Sequence, residues 1–466
     1  MGKLVFAGIA PHPPIIVEAV GRGQNQESAK TIAAMQAWAK ELKKSEPEVL
    51  VIITPHGNLF QDAIAVHAYA ELKGSFASFG VSGTGYSFAN HKELRETIVK
   101  TASQKGFQVM EVNETSRSRY RLQKDLDHGV LVPLDFLVRE GVEIPLVVIS
   151  MALLDYIDLY RFGTVLGEVI EKGKWKVALV ASADLSHRLT RNAPAGFDPM
   201  GKEFDDKLVD LVRQGKLSEL LDLDEELVER AGECGLRPII MLAGALDSHE
   251  IDPRVLSYEG PYGVGYLVAF FEVNKTGGSR IEEWRNSKKV EAAGRRLDES
   301  IPVQLARKSL QYYLEKGKYL PIPSSLEEML KEQKACFVSL KKNGRLRGCI
   351  GTIEPVRSML AEEIICNSVS AGTGDPRFSP VTADELDELV FSVDVLSKPE
   401  PVDSIEALDP KVYGIIVKRG SRSGVLLPNL EGVDTVEYQL EITLSKAGIS
   451  PHEDYKIYRF RVDRYY

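Results

Sequence analysis

Residues 48–58 read EVLVIITPHGN, an apolar and largely β-branched run that ends on Thr-Pro-His. The start of the chain repeats the pattern, since KLVFAGIA at 3–10 is followed by Pro11 and His12. A run that is apolar at nearly every position predicts a strand buried on both faces, which is typical of parallel sheets covered by helices. We therefore expect a parallel sheet in which two strands each lead into a histidine.

The same alternation of strands and helices continues to about Val273. IPLVVISM and KVALVASAD are further strand candidates. Amphipathic stretches predict helices between the strands, at residues 28–44, 92–103 and 159–171. This order predicts an α/β domain over residues 1–273, with a largely parallel sheet and helices on both faces. Residues 274–285 are polar and Gly-containing and are predicted to be a linker.

The remaining residues, 286–466, have a different pattern. IPVQLARKSLQYYLEKG predicts a helix that ends at Gly317, and Asn343-Gly344 predicts a hairpin turn between two alternating runs. Further alternating runs, such as ELVFSVDVL, predict more strands. We expect a second domain of antiparallel α+β type.

Composition excludes several classes of protein. The chain has 466 residues, 44% of them apolar, and a net charge of -9, which gives no basic surface for nucleic acid. It contains no apolar stretch of about 18 residues that would span a bilayer. The four cysteines form no C-x-x-C pair, as expected in a reducing compartment. We expect a cytoplasmic protein that binds neither nucleic acid nor membranes; self-association into a homo-oligomer stays open.

Histidines occur where the predicted strands end. His12, His56 and His187 each follow an apolar run, and His128 lies in a turn before an apolar segment. In open α/β sheets the loops at the carboxyl ends of the strands form the ligand-binding crevice. The sequence therefore predicts one pocket lined by imidazoles, in which prolines beside His12 and His56 restrict the backbone.

Two imidazoles and a carboxylate are the ligand set of non-haem Fe(II) enzymes that use oxygen. Glu233 and Cys234, which precede an apolar helix, are both candidates for the third ligand. A thiolate would also suit Zn or Cu, and a Zn-bound water would suit hydrolysis. The alternative interpretation is that Glu233 is an acid in the first helical turn and Cys234 a small buried residue.

The motifs APHPP, TPHGN, LDHGVLVPL and SADLSH, in this order over residues 1 to about 272, resemble the class III extradiol dioxygenases. These form the LigB-like superfamily, which also contains the Memo proteins. The resemblance implies that His12 and His56 bind iron and that His187 and His128 are acid/base residues. Asp184 matches an aspartate of the Memo branch.

The resemblance implies two possible third ligands. Ring-cleaving members have a glutamate there, whereas Memo proteins have a cysteine in a Cys-Gly-x-x-Pro-Ile context, which corresponds to residues 234–239. Glu233 and Cys234 therefore both stay open.

Residues 286–466 resemble the AMMECR domain through LRGCIGTIEP, GDPRFSPVTADEL and LVFSVDVLSKPEPV. The fusion of both domains is similar to the AmmeMemoRadiSam set, which implies a radical-SAM protein as partner. Arg347, Cys349 and Arg377 could line a small cleft with a reactive thiol. Alternation in RLRGCIG equally places Cys349 in the core, and this is the interpretation we favour.

We expect a ferrous dioxygenase that opens an aromatic ortho-diol ring, or acts on a related small diol, with O2. His187 would act as general base, His128 as general acid, and Asp184 would orient an imidazole. The alternative is a Memo-like protein that binds a metal or a small molecule without ring cleavage and acts with the radical-SAM partner.

Overall fold

The architecture was obtained as a computed structural model, which divides the chain into two compact units between Trp284 and Arg285. The predicted fold class is confirmed, because an α/β unit precedes a unit of antiparallel sheets. The structure describes residues 2–23, 25–81, 83, 85–342, 345–402, 404–430 and 432–466.

The first unit is built on an eight-stranded sheet. Its strands and those of a separate hairpin are β1 (Lys3–Ala10), β2 (Val49–Thr54), β3 (Ile64–His67), β4 (Glu71–Ser75), β5 (Gly85–Ala89), β6 (Val109–Val112), β7 (Leu146–Ser150), β8 (Lys176–Ser182), β9 (His249–Glu259) and β10 (Tyr266–Thr276). The order in the sheet is β6-β3-β7-β2-β8-β1-β10-β9, while β4 and β5 pair with each other. The central strands β7, β2, β8 and β1 are parallel, and β10 and β9 add antiparallel pairs at one edge.

Helices cover both faces of this sheet. They are α1 (Glu18–Gly21), α2 (Ala29–Lys44), α3 (Lys92–Gln104), α4 (Glu114–Tyr120), α5 (His128–Arg139), α6 (Tyr156–Lys172), α7 (Pro199–Gln214), α8 (Glu225–Ala231) and α9 (Leu236–Ala245). Along β2, Val51 and Ile53 pack against the core under α3, α6, α7 and α9, whereas Leu50 and Ile52 pack under α2 and α5. Burial on both faces is why the strand is apolar at every position but the last.

The segment predicted as a linker contains regular structure. Residues 274–276 are the end of β10, and three residues separate it from α10 (Arg280–Leu297). Asp247 fixes the start of α10, because its carboxylate accepts hydrogen bonds of 2.8 Å from the Ile281 N–H and 2.6 Å from Ser279 Oγ. Polar contacts to a residue distant in sequence therefore order a stretch that has no apolar periodicity.

The second unit contains two antiparallel sheets, with orders β12-β11-β13-β18 and β14-β17-β15-β16. Its helices are α11 (Ile301–Lys316), α12 (Glu328–Lys331), α13 (Leu360–Thr373) and α14 (Val436–Ala447). Its strands are β11 (Cys336–Lys342), β12 (Arg345–Gly351), β13 (Leu389–Leu396), β14 (Glu400–Val402), β15 (Gly414–Arg419), β16 (Arg422–Leu426), β17 (Lys456–Phe460) and β18 (Val462–Tyr465). Gly317 ends α11 with a φ of 65°, as predicted. The predicted turn Asn343-Gly344 lies outside the described residues, but β11 and β12 pair as hairpin strands.

Among the described residues, no helix combines the length and the apolar composition needed to cross a bilayer.

Glycines allow α6 and α9 to approach closely. A Cβ atom on Gly163 would lie 2.1 Å from the Met241 carbonyl oxygen, and one on Gly244 would lie 2.0 Å from the Tyr160 carbonyl oxygen. Both contacts are to backbone atoms, which cannot rotate away as a side chain can. The packing of these two helices therefore requires the absence of side chains at both positions.

We expect Gly163→Ala to lower the free energy of unfolding of the first unit by about 1–3 kcal/mol, because the added methyl group pushes the helices apart. Gly294→Ala is the matched control, since Gly294 lies in the helix α10 with no atom within 4 Å of an added Cβ. The control should gain up to about 1 kcal/mol from higher helix propensity. Urea denaturation measures both changes, and equal behaviour of the two variants would contradict the close packing.

A buried carboxylate connects the loop after β8 to two other elements. Asp205 on α7 accepts hydrogen bonds of 2.8 Å from the Ser186 N–H and 2.7 Å from the Tyr258 hydroxyl on β9. Burial raises the pKa of Asp205 from its usual 3.8 to about 7. Because Ser186 precedes His187, this carboxylate helps to fix the loop that carries that histidine.

We expect acidification from pH 7 to pH 4 to stabilise the wild type relative to Asp205→Asn. The folded state binds the Asp205 proton more tightly than the unfolded state, so the carboxylate costs stability above the unfolded pKa, and this cost disappears as pH falls. The difference in unfolding free energy between the two proteins should change by a few kcal/mol, on the order of 1.4 kcal/mol per pKa unit. Denaturation of both proteins at several pH values measures this change. A difference in unfolding free energy that stays constant with pH would contradict a raised pKa of Asp205 in the folded state.

Candidate metal centre and active site

Four imidazoles lie at one edge of the first sheet. His12 follows the end of β1 by two residues, His56 follows β2 by two, and His187 follows β8 by five. β1, β8 and β2 are neighbouring parallel strands, so their carboxyl ends lie at the same edge. His128 is the first residue of α5, and its ring lies against those of His12 and His56. The structure thus brings together the histidines selected from the sequence.

The imidazoles are in direct contact. The Nε2 atoms of His12 and His56 are 2.9 Å apart, and their ring planes are nearly perpendicular. The His128 ring stacks on His56 with a centroid distance of 4.4 Å and lies 5.5 Å from the His12 ring. One nitrogen from each of these three residues lies within 4.8 Å of the other two, a spacing that could hold one metal ion.

The two candidates for a further ligand point in different directions. Cys234 Sγ lies 3.5 Å from His12 Nε2 and 3.7 Å from His187 Nε2. The Glu233 carboxylate instead accepts a hydrogen bond of 2.6 Å from the N–H of Leu236, at the start of α9. Glu233 therefore has a role at the helix start, and the thiol is the group that faces the imidazoles. His12, His56 and either His128 or Cys234 are the residues placed to hold a metal.

Asp184 lies beside His12. Its Oδ1 accepts a hydrogen bond of 2.8 Å from the backbone N–H of His12, and its Oδ2 lies 3.7 Å from His12 Nε2. Burial raises the pKa of Asp184 to about 7. The sequence predicts this aspartate to orient an imidazole, and the imidazole next to its carboxylate is that of His12.

Hydrogen bonds determine which His12 nitrogen faces the pocket. Ser182 Oγ donates its proton to the Gly129 carbonyl oxygen, so it can only accept from His12 Nδ1–H, 2.9 Å away. His12 Nε2 therefore carries a lone pair, directed at His56 and Cys234. Fixing the tautomer through the outer nitrogen is the usual support of a metal-binding histidine.

Burial keeps these groups uncharged. It lowers the pKa of His12 well below the usual value and that of His56 to about 4, and it also lowers the pKa of His128 and His187. It raises the pKa of the Cys234 thiol well above its usual range. Neutral imidazoles offer lone pairs, and a bound cation would favour loss of the thiol proton. The donor set, imidazole nitrogen with one sulfur, fits a transition metal or Zn.

The sequence patterns above do not predict the row of hydroxyl groups beneath the imidazoles. Ser150, Thr54 and Ser182 are the last residues of β7, β2 and β8, which are adjacent in the sheet. Ser182 supports His12, and Thr54 Oγ1 donates a hydrogen bond of 2.7 Å to Asp127 Oδ1. One sequence feature could have predicted this row of hydroxyl groups: the strand runs VIIT, VVIS and LVAS all end on Ser or Thr.

In the second unit, the arginines near Cys349 bind carboxylates. Arg377 forms two hydrogen bonds with Asp375, of 2.9 and 2.6 Å, and reaches only the backbone oxygen of Cys349. Arg347 binds Glu385 through two nitrogens, at 3.1 and 2.9 Å. Cys349 itself is half-buried. The three residues lie near one another, but both guanidinium groups are engaged with carboxylates.

Two family models match the chain. The catalytic LigB subunit of aromatic ring-opening dioxygenase matches residues 7–269, and AMMECR1 matches residues 303–465. The chain belongs to the LigB family. The LigB match contains every histidine of the pocket as well as Cys234, and it ends inside β10. Fusion of a LigB domain to an AMMECR1 domain, which the sequence motifs predict, is confirmed.

Some relatives match both domains of the chain, and others match about a third of it. A protein of Clostridium acetobutylicum is 42% identical over 460 residues, 98% of each chain. A protein of Thermotoga maritima is 52% identical over 166 residues, 35% of this chain and 95% of its own. The crystal structure of a protein from Pyrococcus horikoshii has 34% identity and a TM-score of 0.33, covering 35% of this chain and 88% of that one.

We expect Cys234→Ala to weaken the binding of Co(II), which serves as a probe metal. Loss of a residue that only supports a metal ligand typically weakens metal binding by about 10- to 100-fold, and the loss of Cys234 should have a larger effect. Glu233→Gln should bind Co(II) like the wild type, because Glu233 bonds to the N–H of Leu236. Anaerobic titration followed by absorption measures both, and a sulfur-to-cobalt band should disappear only with Cys234→Ala. If Glu233→Gln alone lost affinity for Co(II), Cys234 would not be the metal ligand and Glu233 would be.

Proposed function

We propose that the LigB domain is a ferrous dioxygenase that opens the ring of an aromatic ortho-diol or acts on a related small diol. The observation that carries this proposal is the cluster of His12, His56 and His128 nitrogens at the carboxyl edge of a parallel sheet, with the Cys234 thiol 3.5 Å from His12 Nε2. Fe(II) held there would supply Lewis acidity and the electrons that activate O2. Membership of the LigB family supports the reaction class.

Two further histidines are placed for proton transfer. His187 Nε2 lies 3.7 Å from Cys234 Sγ, so this nitrogen is next to the proposed metal-binding position. Its lowered pKa keeps it neutral at pH 7, and it would take the proton of a substrate hydroxyl group. His128, whose ring stacks on His56, would act as general acid and pass a proton to an oxygen atom derived from O2.

The pocket rim suits an apolar, planar substrate. Phe79 lies edge-on to His128, with ring centroids 5.6 Å apart, and is 39% exposed. Exposed apolar side chains also lie in the loops that follow β2, β7 and β8, namely Leu59, Leu153 and Phe197, and Tyr120 at the end of α4 contacts Phe60 in the first of these loops. Aromatic side chains beside the imidazoles would hold a ring while its oxygens face the metal.

The position of Cys234 favours a second candidate. A thiol beside His12, with Glu233 turned away, is the Memo-like arrangement. In this alternative the LigB domain binds a metal or a small molecule without ring cleavage. It would act with a radical-SAM partner through the AMMECR1 domain.

Anaerobic loading with Fe(II), followed by a panel of catechols in air-saturated buffer, tests the leading proposal. We expect O2 consumption together with a yellow ring-opened product. His187→Ala should retain iron but lower kcat by about 10²–10⁴-fold, because it removes the base. His452→Ala, in the AMMECR1 domain, is the matched control and should leave turnover unchanged. Retained iron without O2 consumption for any diol would contradict the proposal and favour the second candidate.

A further inference from the structure

Side-chain hydrogen bonds connect the two loops that carry His56 and His128. Asn58 makes two of them with the Gln123 backbone, and the one nearest to both imidazoles joins Thr54 to Asp127. Thr54 Oγ1 donates to Asp127 Oδ1 over 2.7 Å. Thr54 is the last residue of β2, two positions before His56, and Asp127 directly precedes His128. The same Thr54 oxygen also accepts a hydrogen bond of 3.2 Å from the backbone N–H of His56. The bond therefore acts within two residues of both imidazoles.

Asp127 has this contact in place of a helix cap. It is the N-cap residue of α5, yet its side chain makes no capping hydrogen bond. Two of the other N-cap aspartates do cap their helices, since the carboxylate of Asp198 accepts from the Met200 N–H and that of Asp224 from the Leu227 N–H, whereas Asp155 at the start of α6 makes no capping bond. A capping bond is the usual stabilising use of this side chain. Its diversion to Thr54 indicates a role in the pocket.

Two glycines, Gly129 and Gly57, leave space for the Thr54–Asp127 hydrogen bond. A Cβ atom on Gly129 would lie 2.5 Å from Thr54 Oγ1 and 2.8 Å from Asp127 Oδ1. A Cβ atom on Gly57 would lie 2.0 Å from Ser150 Oγ and 3.4 Å from Asp127 Oδ2. Within the part of the chain that the structure describes, Asp127 Oδ2 and Ser150 Oγ are buried without hydrogen-bond partners. The carboxylate is thus enclosed, with one oxygen bonded to Thr54 and the other free.

We propose that Asp127 is a positioning residue, which through Thr54 holds the His56 and His128 loops so that both imidazoles face the metal-binding point. This positioning role rests on the proposed function only in requiring that a metal binds between the imidazoles. It is therefore the same for the dioxygenase and for the Memo-like alternative. The stacked geometry of the two rings, 24° between planes, is the arrangement that the bond maintains. Asp127 touches neither substrate nor metal in this account.

Four variants separate positioning from simple stability. Asp127→Ala removes the acceptor, and Thr54→Val removes the donor with little change of shape. Asp127→Asn keeps an oxygen that accepts from Thr54, so it should restore most of the function. Thr435→Val is the matched control, because Thr435 Oγ1 also accepts from a backbone N–H, that of Tyr438, but caps α14 in the AMMECR1 domain.

Anaerobic Co(II) titration is the first readout. We expect Asp127→Ala and Thr54→Val each to weaken Co(II) binding by about 10- to 100-fold. The double variant should be little worse than either single one, because both remove the same bond. Asp127→Asn should bind within a few-fold of the wild type, and Thr435→Val should bind equally well.

The second readout needs no metal. In metal-free protein labelled at its eight histidines, ring NMR signals of His56 and His128 should change in Asp127→Ala and Thr54→Val, while those of His452 should not. Unchanged ring signals and unchanged Co(II) affinity in both variants would overturn the proposal. A wild type that binds Co(II) but consumes no O2 with catechols would contradict only the dioxygenase function. If the wild type bound no Co(II), the ring signals alone would decide.

Discussion

The parallel pairing of β1 with β8, and of β8 with β2, is the constraint on which the rest of the first unit depends. Ala10 pairs with Ser182, and Ile53 pairs with Ala181, so the three strands end at the same level. Loops that begin at one level place His12 and His56 in contact, although 44 residues separate them. A shift of one residue in this register would turn side chains to the opposite face and separate the imidazoles.

Polar groups in this pocket are supported by other polar groups that are themselves buried. Ser182 fixes the His12 ring, and Thr54 joins the His56 loop to Asp127. Burial keeps the imidazoles neutral, so they lie in contact without repulsion between like charges. The fold thus maintains a cluster of donors that is complementary to a cation, and part of its packing energy is used to hold these groups together.

The sequence predicts much of this unit because the signals are local. A buried parallel strand needs an apolar run, and the loop that follows it lines the crevice, so the sequence predicts the positions of His12 and His56. The direction of a side chain within a loop is not local, so the sequence left Glu233 and Cys234 equivalent, and the contact with Leu236 separates them. The Thr54–Asp127 bond joins residues 73 apart, and no periodicity reports such a pair. For the same reason residues 274–285 looked like an irregular linker, since Asp247 orders them from a distance.

The position of β1 has a consequence for the order of events on the ribosome. The first strand to be synthesised lies between β8 and β10, so residues 3–10 have no partner strands until residues 176–182 and then 266–276 have emerged. Pairing between such distant segments is slow and leaves an apolar strand exposed in the nascent chain. The contact between His12 and Cys234 therefore forms late, in polypeptides whose translation has passed Cys234 and the strand β8 that pairs with β1.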